Sequence, residues 1–442
     1  MKIKSCSYSR GVENFAPRIK SYSEITTIAV EEPDIVYIPT KQMKGHLPIV
    51  VVTKGDEVKI GTRLAVSGNN IVCSTVSGLV EDVVTLPSVY GGATEVVVIK
   101  NNHKNDKEKF TTHTIEETSE ELTLAAKVAS IVDYDGSTVI DKLNTLGKEN
   151  EKTLIVNMVD DEPYLYNNAL LLADKKEECV FAIKLMAKIL NTNNVFIAVK
   201  NDEMKLHSPF FNQLTNEGFD LNVVAATIPN RYPAGDEVQL VQTIMKRKFK
   251  SLTECRSAGF VAFDMFTLYA LSKLVIEGEY TTRRPLTIIE KDGNKIKSVC
   301  AWVNVGMTIN DVLNALYLNG VQGIRKIVAG GPMRGIALGN EMSSITFGLK
   351  AIMAIKDKLT DAPSELPCIT CGKCAKVCPV GIVPYEIDEC TLDRDFNEAV
   401  KLGANKCIKC GCCSYVCPSK RYLTQRIYYA KEIINNKGLK NE

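Results

Sequence analysis

Two stretches, CITCGKCAKVCP at residues 368–379 and CIKCGCCSYVCP at residues 407–418, repeat one spacing. Each has three cysteines separated by two residues, a fourth after three more, and then a proline. The repeated positions use eight of the chain's fifteen cysteines. Three thiolates at this spacing wrap the backbone round three irons of a cubane cluster. The fourth begins the next element and reaches the neighbouring cube. The spacing therefore assigns Cys368, Cys371, Cys374 and Cys417 to one 4Fe-4S cluster, and Cys407, Cys410, Cys413 and Cys378 to a second. Pro379 and Pro418 redirect the chain, and Gly372 and Gly411 let backbone amides approach cluster sulfides. Structural zinc needs one set of four ligands and disulfides need an oxidising compartment. Neither calls for the doubled register.

Phe396, Ala399, Val400 and Leu402 give the segment between the repeats a helical pattern, so a helical dicluster domain is expected rather than a compact β one. Cys412 reads as a spare thiol beside the second cluster. The stretch from Lys420 to Lys440 reads as a basic helix, either solvated or placed to dock an acidic redox partner.

Upstream, Leu286–Glu290 reads as a strand, Asp292-Gly293 as a hairpin turn and Thr308–Leu318 as a helix begun by a capping-box pattern with Asp311. Ile327–Ala329 runs into the glycine-rich turn Gly330-Gly331-Pro332, which reads as a tight turn rather than a ligand cradle. Before this, Leu154–Asn157, Val195–Val199 and Val223–Ala226 read as strands. They alternate with helices at Leu170–Leu190, Glu237–Lys248 and Asp264–Glu277, the pattern of a three-layer α/β domain with a largely parallel sheet. From Pro48 to Lys100 the strands are short, and Gly55-Asp56-Glu57-Val58 with Gly61 form the turn of biotinyl- and lipoyl-like barrels. The tip, Ser67-Gly68-Asn69-Asn70, has no lysine to carry a swinging arm, so a structural barrel is expected. Asn101–Glu121 is polar and reads as a linker.

The chain's 442 residues demand several domains, and 45% hydrophobic with 24% charged residues is ordinary for globular proteins. A net charge of +2 offers no nucleic-acid surface. No apolar run is long enough to span a membrane. The nearest, Gly259–Ile276, is broken by Asp264 and Lys273 and reads as a buried helix. Scattered remaining cysteines and the absence of a secretory signal point to a reducing cytosol. The four histidines (His46, His103, His113 and His207) show no ligand spacing.

Taken in order, these modules resemble the RnfC family, the peripheral member of the Rnf electron-transport complex. The resemblance rests on Lys54–Val58, Asp161-Glu162-Pro163-Tyr164-Leu165, Tyr232–Glu237, Gly330–Met333 and the eight cysteines. It implies a multidomain α/β plus β protein. A barrel-sandwich (lipoyl-like) domain with its N-terminal segment would occupy 1–105 and a complex I flavoprotein-like α/β domain 115–284. A soluble-ligand-binding β-grasp (SLBB) module would follow at 285–350, and a two-cluster ferredoxin domain at 360–442. It implies an electron-transfer subunit on the cytoplasmic side of the membrane, whose partners are the other redox proteins of the complex. Such a subunit relays electrons between NADH, flavin or ferredoxin and a partner.

The chain departs from the family at the flavin loop. Several glycines are expected there, yet Ile131–Ile140 keeps only Gly136, and Asp133 and Asp135 oppose a phosphate. Where the family has Glu-Cys-Glu-Pro this chain has Asp160-Asp161-Glu162-Pro163, so Asp160 and Glu162 are the candidate FMN or NADH contacts. A cluster-only relay serving a soluble oxidoreductase is the alternative function, and a ligand sensor built on the β-grasp module a third.

Overall fold

The computed structural model describes residues 2–17, 19–42, 48–129, 131–133, 136–147, 151–216, 221–316, 323–356 and 364–439. At its centre lies a five-stranded parallel sheet, ordered Lys2–Ser5, Asn222–Ile228, Asn194–Lys200, Thr153–Asn157, Phe260–Asp264. Thr153–Asn157 is buried at every position because both faces are covered. Leu154, Val156, Ile197 and Phe263 pack against the helices Ser119–Ala129, Lys176–Leu190 and Met265–Ser272. Ile155, Ala198, Ala226 and Ala262 meet Glu237–Met245 and Leu252–Ser257 on the other side.

The edge strand is a departure from expectation. Residues 2–5, assigned from the sequence to the N-terminal segment of the barrel domain, pair with Val224–Thr227. The expected single helix Leu170–Leu190 is two, Asn167–Asp174 and Lys176–Leu190, broken where Lys175 leaves helical geometry at φ −132. At the break Asp174 accepts the Trp302 indole N–H at 2.7 Å. The helix beginning at Met265 ends in a π turn, Lys273–Glu277.

The barrel region is two sheets around Val36, Ile38, Leu64, Val80, Val97 and Ile99. The stretch after it is no free linker. Lys107 bridges Ile60, and Phe110 lies so close to Gly61 that a Cβ there would stand 2.6 Å from its ring. Residues 283–355 form a mixed sheet ordered Lys295–Asn304, Arg283–Asp292, Ala351–Ile355, Lys326–Ala329, Ile336–Leu338. Its two middle contacts differ: Thr287–Lys291 runs parallel to Ala351–Ile355, which is antiparallel to Lys326–Ala329. Ile309, Val312 and Leu313 seal one face from the helix Ile309–Leu316.

The C-terminal unit is helical, as expected. Ile387, Ala399, Val400, Ile427, Ala430 and Ile434 form its core. The fully buried Asp388 carboxylate accepts from Arg421 at 2.7 Å and Arg426 at 3.0 Å, tying Pro384–Leu392 to Leu423–Lys437.

His207 sets an acid limit on this fold. It is 2% exposed, its Nδ1 meets the Tyr22 hydroxyl at 3.0 Å, and burial lowers its pKa from 6.5 to about 3. The unfolded chain therefore binds a proton that the folded chain refuses. This contribution to stability is full above pH 6.5 and falls as pH drops toward 3, by about 2 kcal/mol at pH 5. Denaturant midpoints from pH 7 to 5 will show a shallower loss in His207→Gln than in the unsubstituted chain; equal slopes would exclude His207 as the cause.

Candidate iron–sulfur centre

The two cysteine repeats fold as two copies of one loop. Gly372 and Gly411, at φ 69 and 82, open the short helices Lys373–Val377 and Cys412–Val416. Between the first two cysteines of each copy, Thr370 and Lys409 take φ 48 and 57, a conformation L-residues rarely adopt. There the amides of Thr370 and Lys409 point at the sulfurs of Cys368 and Cys407, each at 3.4 Å. Sequence reading did not single out these two residues. The signal available was positional: each sits two residues after the first cysteine of its copy.

Tertiary folding exchanges the fourth cysteines. Cys368, Cys371, Cys374 and Cys417 line one cavity. Cys378, Cys407, Cys410 and Cys413 line another. Among the described residues no three His, Cys, Asp or Glu side chains converge as single-ion ligands. Each cysteine set instead surrounds a volume, which suits a cubane better than one zinc ion.

The two cavities differ in cover. The inner one has four buried cysteines, 6–9% exposed. In the outer one Cys371 is exposed, Cys368 and Cys417 are half-buried, and Cys374 is buried. Burial raises the Cys378 and Cys407 thiols and pushes Cys413 to about 12, so loading iron must displace bound protons. Cys410 shifts the other way, lowered beside the Cys412 thiol. The Cys412 thiol itself donates to the Tyr232 carbonyl at 3.9 Å.

The cover of the inner cavity comes from the other units. The Tyr232 hydroxyl donates to the Cys410 carbonyl at 2.6 Å. The Gly11 amide donates to the Val377 carbonyl at 2.9 Å, and Arg10 reaches the Ala375 and Cys378 carbonyls at 3.3 Å. The glycine-rich turn lies against the second loop, where a Cβ on Gly411 would come within 2.6 Å of the Met333 carbonyl oxygen.

Glu162 holds that turn. Its carboxylate accepts the amides of Met333 and Arg334, both at 2.8 Å. Burial raises its pKa to about 7, against the pull of these amides and of Arg334, while Asp161 rises to about 6 for the same reason. Asp160 is 4% exposed and accepts from the backbone and side-chain amides of Asn168 at 2.9 and 3.2 Å. Burial raises its carboxyl despite Lys350 and Lys200. Both carboxylates therefore bind the protein's own amides.

The described ends of the loop at 131–138 pair with each other. Val132 bridges Thr138, and the Asp133 amide donates to the Ser137 carbonyl at 2.9 Å. Asp135 lies outside the described residues. The Asp133 carboxylate turns inward to Lys142 at 2.7 Å and Thr267 at 2.7 Å. Lys142 is fully buried and also binds Glu237 and the Ala262 carbonyl, each at 2.9 Å. Thr138 and Asp141 cap the following helix reciprocally, and Asp141 also accepts from Asn69 at the barrel tip at 3.1 Å. A neighbouring cleft, lined by Gln42, Asn70, Ile131, Phe266, Tyr280 and Phe347 among others, has no lysine or arginine among the described residues of its wall. The described loop amides of Asp133 and Gly136 are taken by loop carbonyls and the Lys142 ammonium by internal carboxylates, so the described residues do not fit FMN at this loop.

Fold and cysteine cavities together define an iron–sulfur electron-transfer protein built on a flavoprotein-type α/β frame. Comparison with known families agrees. Residues 7–104 match the RnfC barrel-sandwich hybrid domain, 126–273 the Nuo51 FMN-binding domain and 363–418 a 4Fe-4S dicluster domain. The chain is 30% identical to the RnfC subunit of the proton-translocating ferredoxin:NAD(+) oxidoreductase complex of Clostridium ljungdahlii, over 80% of this chain and 77% of the relative. It is 28% identical to the RnfC subunit of the ion-translocating oxidoreductase complex of Rhodobacter capsulatus, over 64% of this chain and 54%, about half, of that relative. The chain belongs to the RnfC family. An H2-reduced NAD+-reducing [NiFe]-hydrogenase shares the fold, at TM-score 0.51 and 12% identity over 72% of this chain and 64% of that one. No helix among the described residues is long and apolar enough to cross a membrane.

Proposed function

We propose that this protein is the peripheral iron–sulfur relay of an Rnf-like, membrane-associated electron-transport complex, on the cytoplasmic face. The observation that carries it is the pair of four-cysteine cavities, one enclosed by the other units and one open to solvent. Cys378, Cys407, Cys410 and Cys413 hold the inner cluster, and Cys368, Cys371, Cys374 and Cys417 the outer. When loaded, the clusters supply single-electron transfer. The chain's own residues enclose one cluster and leave an edge of the other open. In this reading the chain has four units near the boundaries expected from the sequence, with the edge strand of the α/β sheet donated by residues 2–5. The unit at 283–355 is a β-grasp module of the SLBB type, a reading supported by its parallel central pair and crossing helix.

The α/β unit acts as a scaffold rather than an NADH dehydrogenase. Support comes from the Asp133–Lys142–Glu237 network and from the structural engagement of Asp160 and Glu162. Anaerobic purification with cluster reconstitution will give about eight irons per chain and no flavin. One flavin per chain would overturn the scaffold reading and make NADH oxidation the leading activity. Iron near zero would overturn the relay itself.

A further inference from the structure

Resting on the relay reading, we infer that Arg10, Tyr232, Thr424 and Lys431 are positioning residues that hold up the reduction potential of the inner cluster against its burial. A cubane on four thiolates gains one negative charge when it is reduced. Enclosure away from water disfavours that charge, whereas cations and O–H dipoles aimed at the ligands favour it. The inner set is enclosed, with all four cysteines buried. Each of the four also meets a side-chain donor. Arg10 reaches the Cys378 carbonyl at 3.3 Å, Lys431 the Cys407 carbonyl at 2.9 Å and Tyr232 the Cys410 carbonyl at 2.6 Å. Thr424 Oγ1 lies 3.4 Å from the Cys413 sulfur. A ligating thiolate only accepts, so the hydroxyl donates. Ser414 Oγ stands 3.0 Å behind Thr424 Oγ1 and accepts the Thr424 amide at 2.9 Å, which leaves its own O–H to donate to Thr424. Two hydroxyls in series thus end on the sulfur.

The repeat spacing asks for none of these donors. Arg10 comes from the N-terminal segment, Tyr232 from the short strand Arg231–Tyr232, and Thr424 and Lys431 from the helix Leu423–Lys437. Neither Arg10 nor Lys431 has an acid on it among the described residues. Beside Cys410, Arg334 and Asp236 pair with each other at 3.2 Å. The outer set is treated differently. Among the described residues no side chain donates to a carbonyl or sulfur of Cys368, Cys371, Cys374 or Cys417. Of the cations in its wall, Arg421 binds Asp388, and Lys373 is exposed to water, where its charge is screened. The backbone amides of Thr370 and Lys409 serve the two sets alike, so the side chains make the difference.

Redox titration of the anaerobic, reconstituted chain, followed by EPR, tests this. The Cys374→Ala parent keeps the inner cluster alone, so one midpoint is read without its neighbour. Adding Arg10→Gln and Lys431→Gln will lower the reduced-to-oxidised ratio at a fixed ambient potential by about tenfold, a shift of about 59 mV for one electron. Thr424→Val and Tyr232→Phe, which keep shape and remove a hydroxyl, will each move the midpoint in the same direction. Arg10→Lys with Lys431→Arg will keep most of the parent midpoint. In the Cys413→Ala parent, which keeps the outer cluster alone, the same substitutions will leave the midpoint in place. An inner midpoint unmoved by the charge pair and by Thr424→Val would overturn the proposal. Equal shifts in both parents would do so too, since they would mean a change in the whole fold. Should a parent fail to load, the charge pair in the otherwise unsubstituted chain decides, by moving one of its two midpoints or neither. An unsubstituted chain that binds no iron would remove the relay reading itself.

Discussion

Replacing Cys374 with alanine will halve the iron of the reconstituted chain, from about eight atoms to about four, and the outer cluster will be the one lost. Cys374 is 7% exposed and lines the outer cavity with Cys368, Cys371 and Cys417. Its thiol is raised by burial, so in the protein without iron it is protonated. Removing it leaves three ligands for a four-iron cube. The inner set keeps all four of its cysteines, because the fourth ligands are exchanged between the repeats. A ligand variant of the inner set, Cys413→Ala, will lose the other half. Cys412→Ser, which keeps a donor beside Cys410, will retain all the iron. Iron analysis with reduced-state EPR reads each outcome, and an unchanged iron content in Cys374→Ala would discard the ligand assignment.

Lys142→Met will destabilise the α/β unit by about 3–5 kcal/mol, the range for breaking a buried ion pair by removing one partner. The lysine side chain is wholly buried, and so is that of Asp133, while Glu237 is 4% exposed. Without the ammonium, Asp133 loses its cation while keeping the Thr267 hydroxyl and the Asp264 amide, and the Ala262 carbonyl loses a donor. Arg256 still faces Glu237 at 3.3 Å, which holds the loss toward the lower end of the range. A Lys142→Met/Asp133→Asn pair will recover part of the loss, since it removes one stranded charge with its partner. The single tryptophan offers the readout. Trp302 donates to Asp174 and packs near Tyr269, so its fluorescence follows the join between the α/β unit and the sheet at 283–355. A midpoint in urea unchanged from the parent would show that the network carries no stability. It would also reopen the loop at 131–138 to a phosphate.

The spacing of eight cysteines is a local covalent fact, so the grouping into two sets of four was legible without a structure, and each set lines one cavity. So were Leu154–Asn157, Val195–Val199 and Val223–Ala226. Each is an apolar run of strand length between helical patterns, and burial on both faces of a parallel sheet leaves that signature. The edge strand was not legible. Lys2–Ser5 has one apolar residue, Ile3, which is 66% exposed, and its partner strand lies over two hundred residues away. The break at Lys175 was hidden for a related reason, since the Trp302 indole that holds Asp174 belongs to a distant strand.

The difference between the clusters belongs to tertiary structure alone. Both repeats have the same spacing and the same glycine, yet Tyr232, Arg10 and Met333 close over one and leave the other open. The same holds for Asp133. In the sequence it is one of two acids in a glycine-poor loop, and in the fold it is the partner of a lysine on a six-residue helix. Sequence by itself determined the grouping of the eight cysteines, because that grouping is set by chain spacing. Which cluster meets solvent, and what took the place of a phosphate, depended on groups far apart in the chain and brought together only by packing.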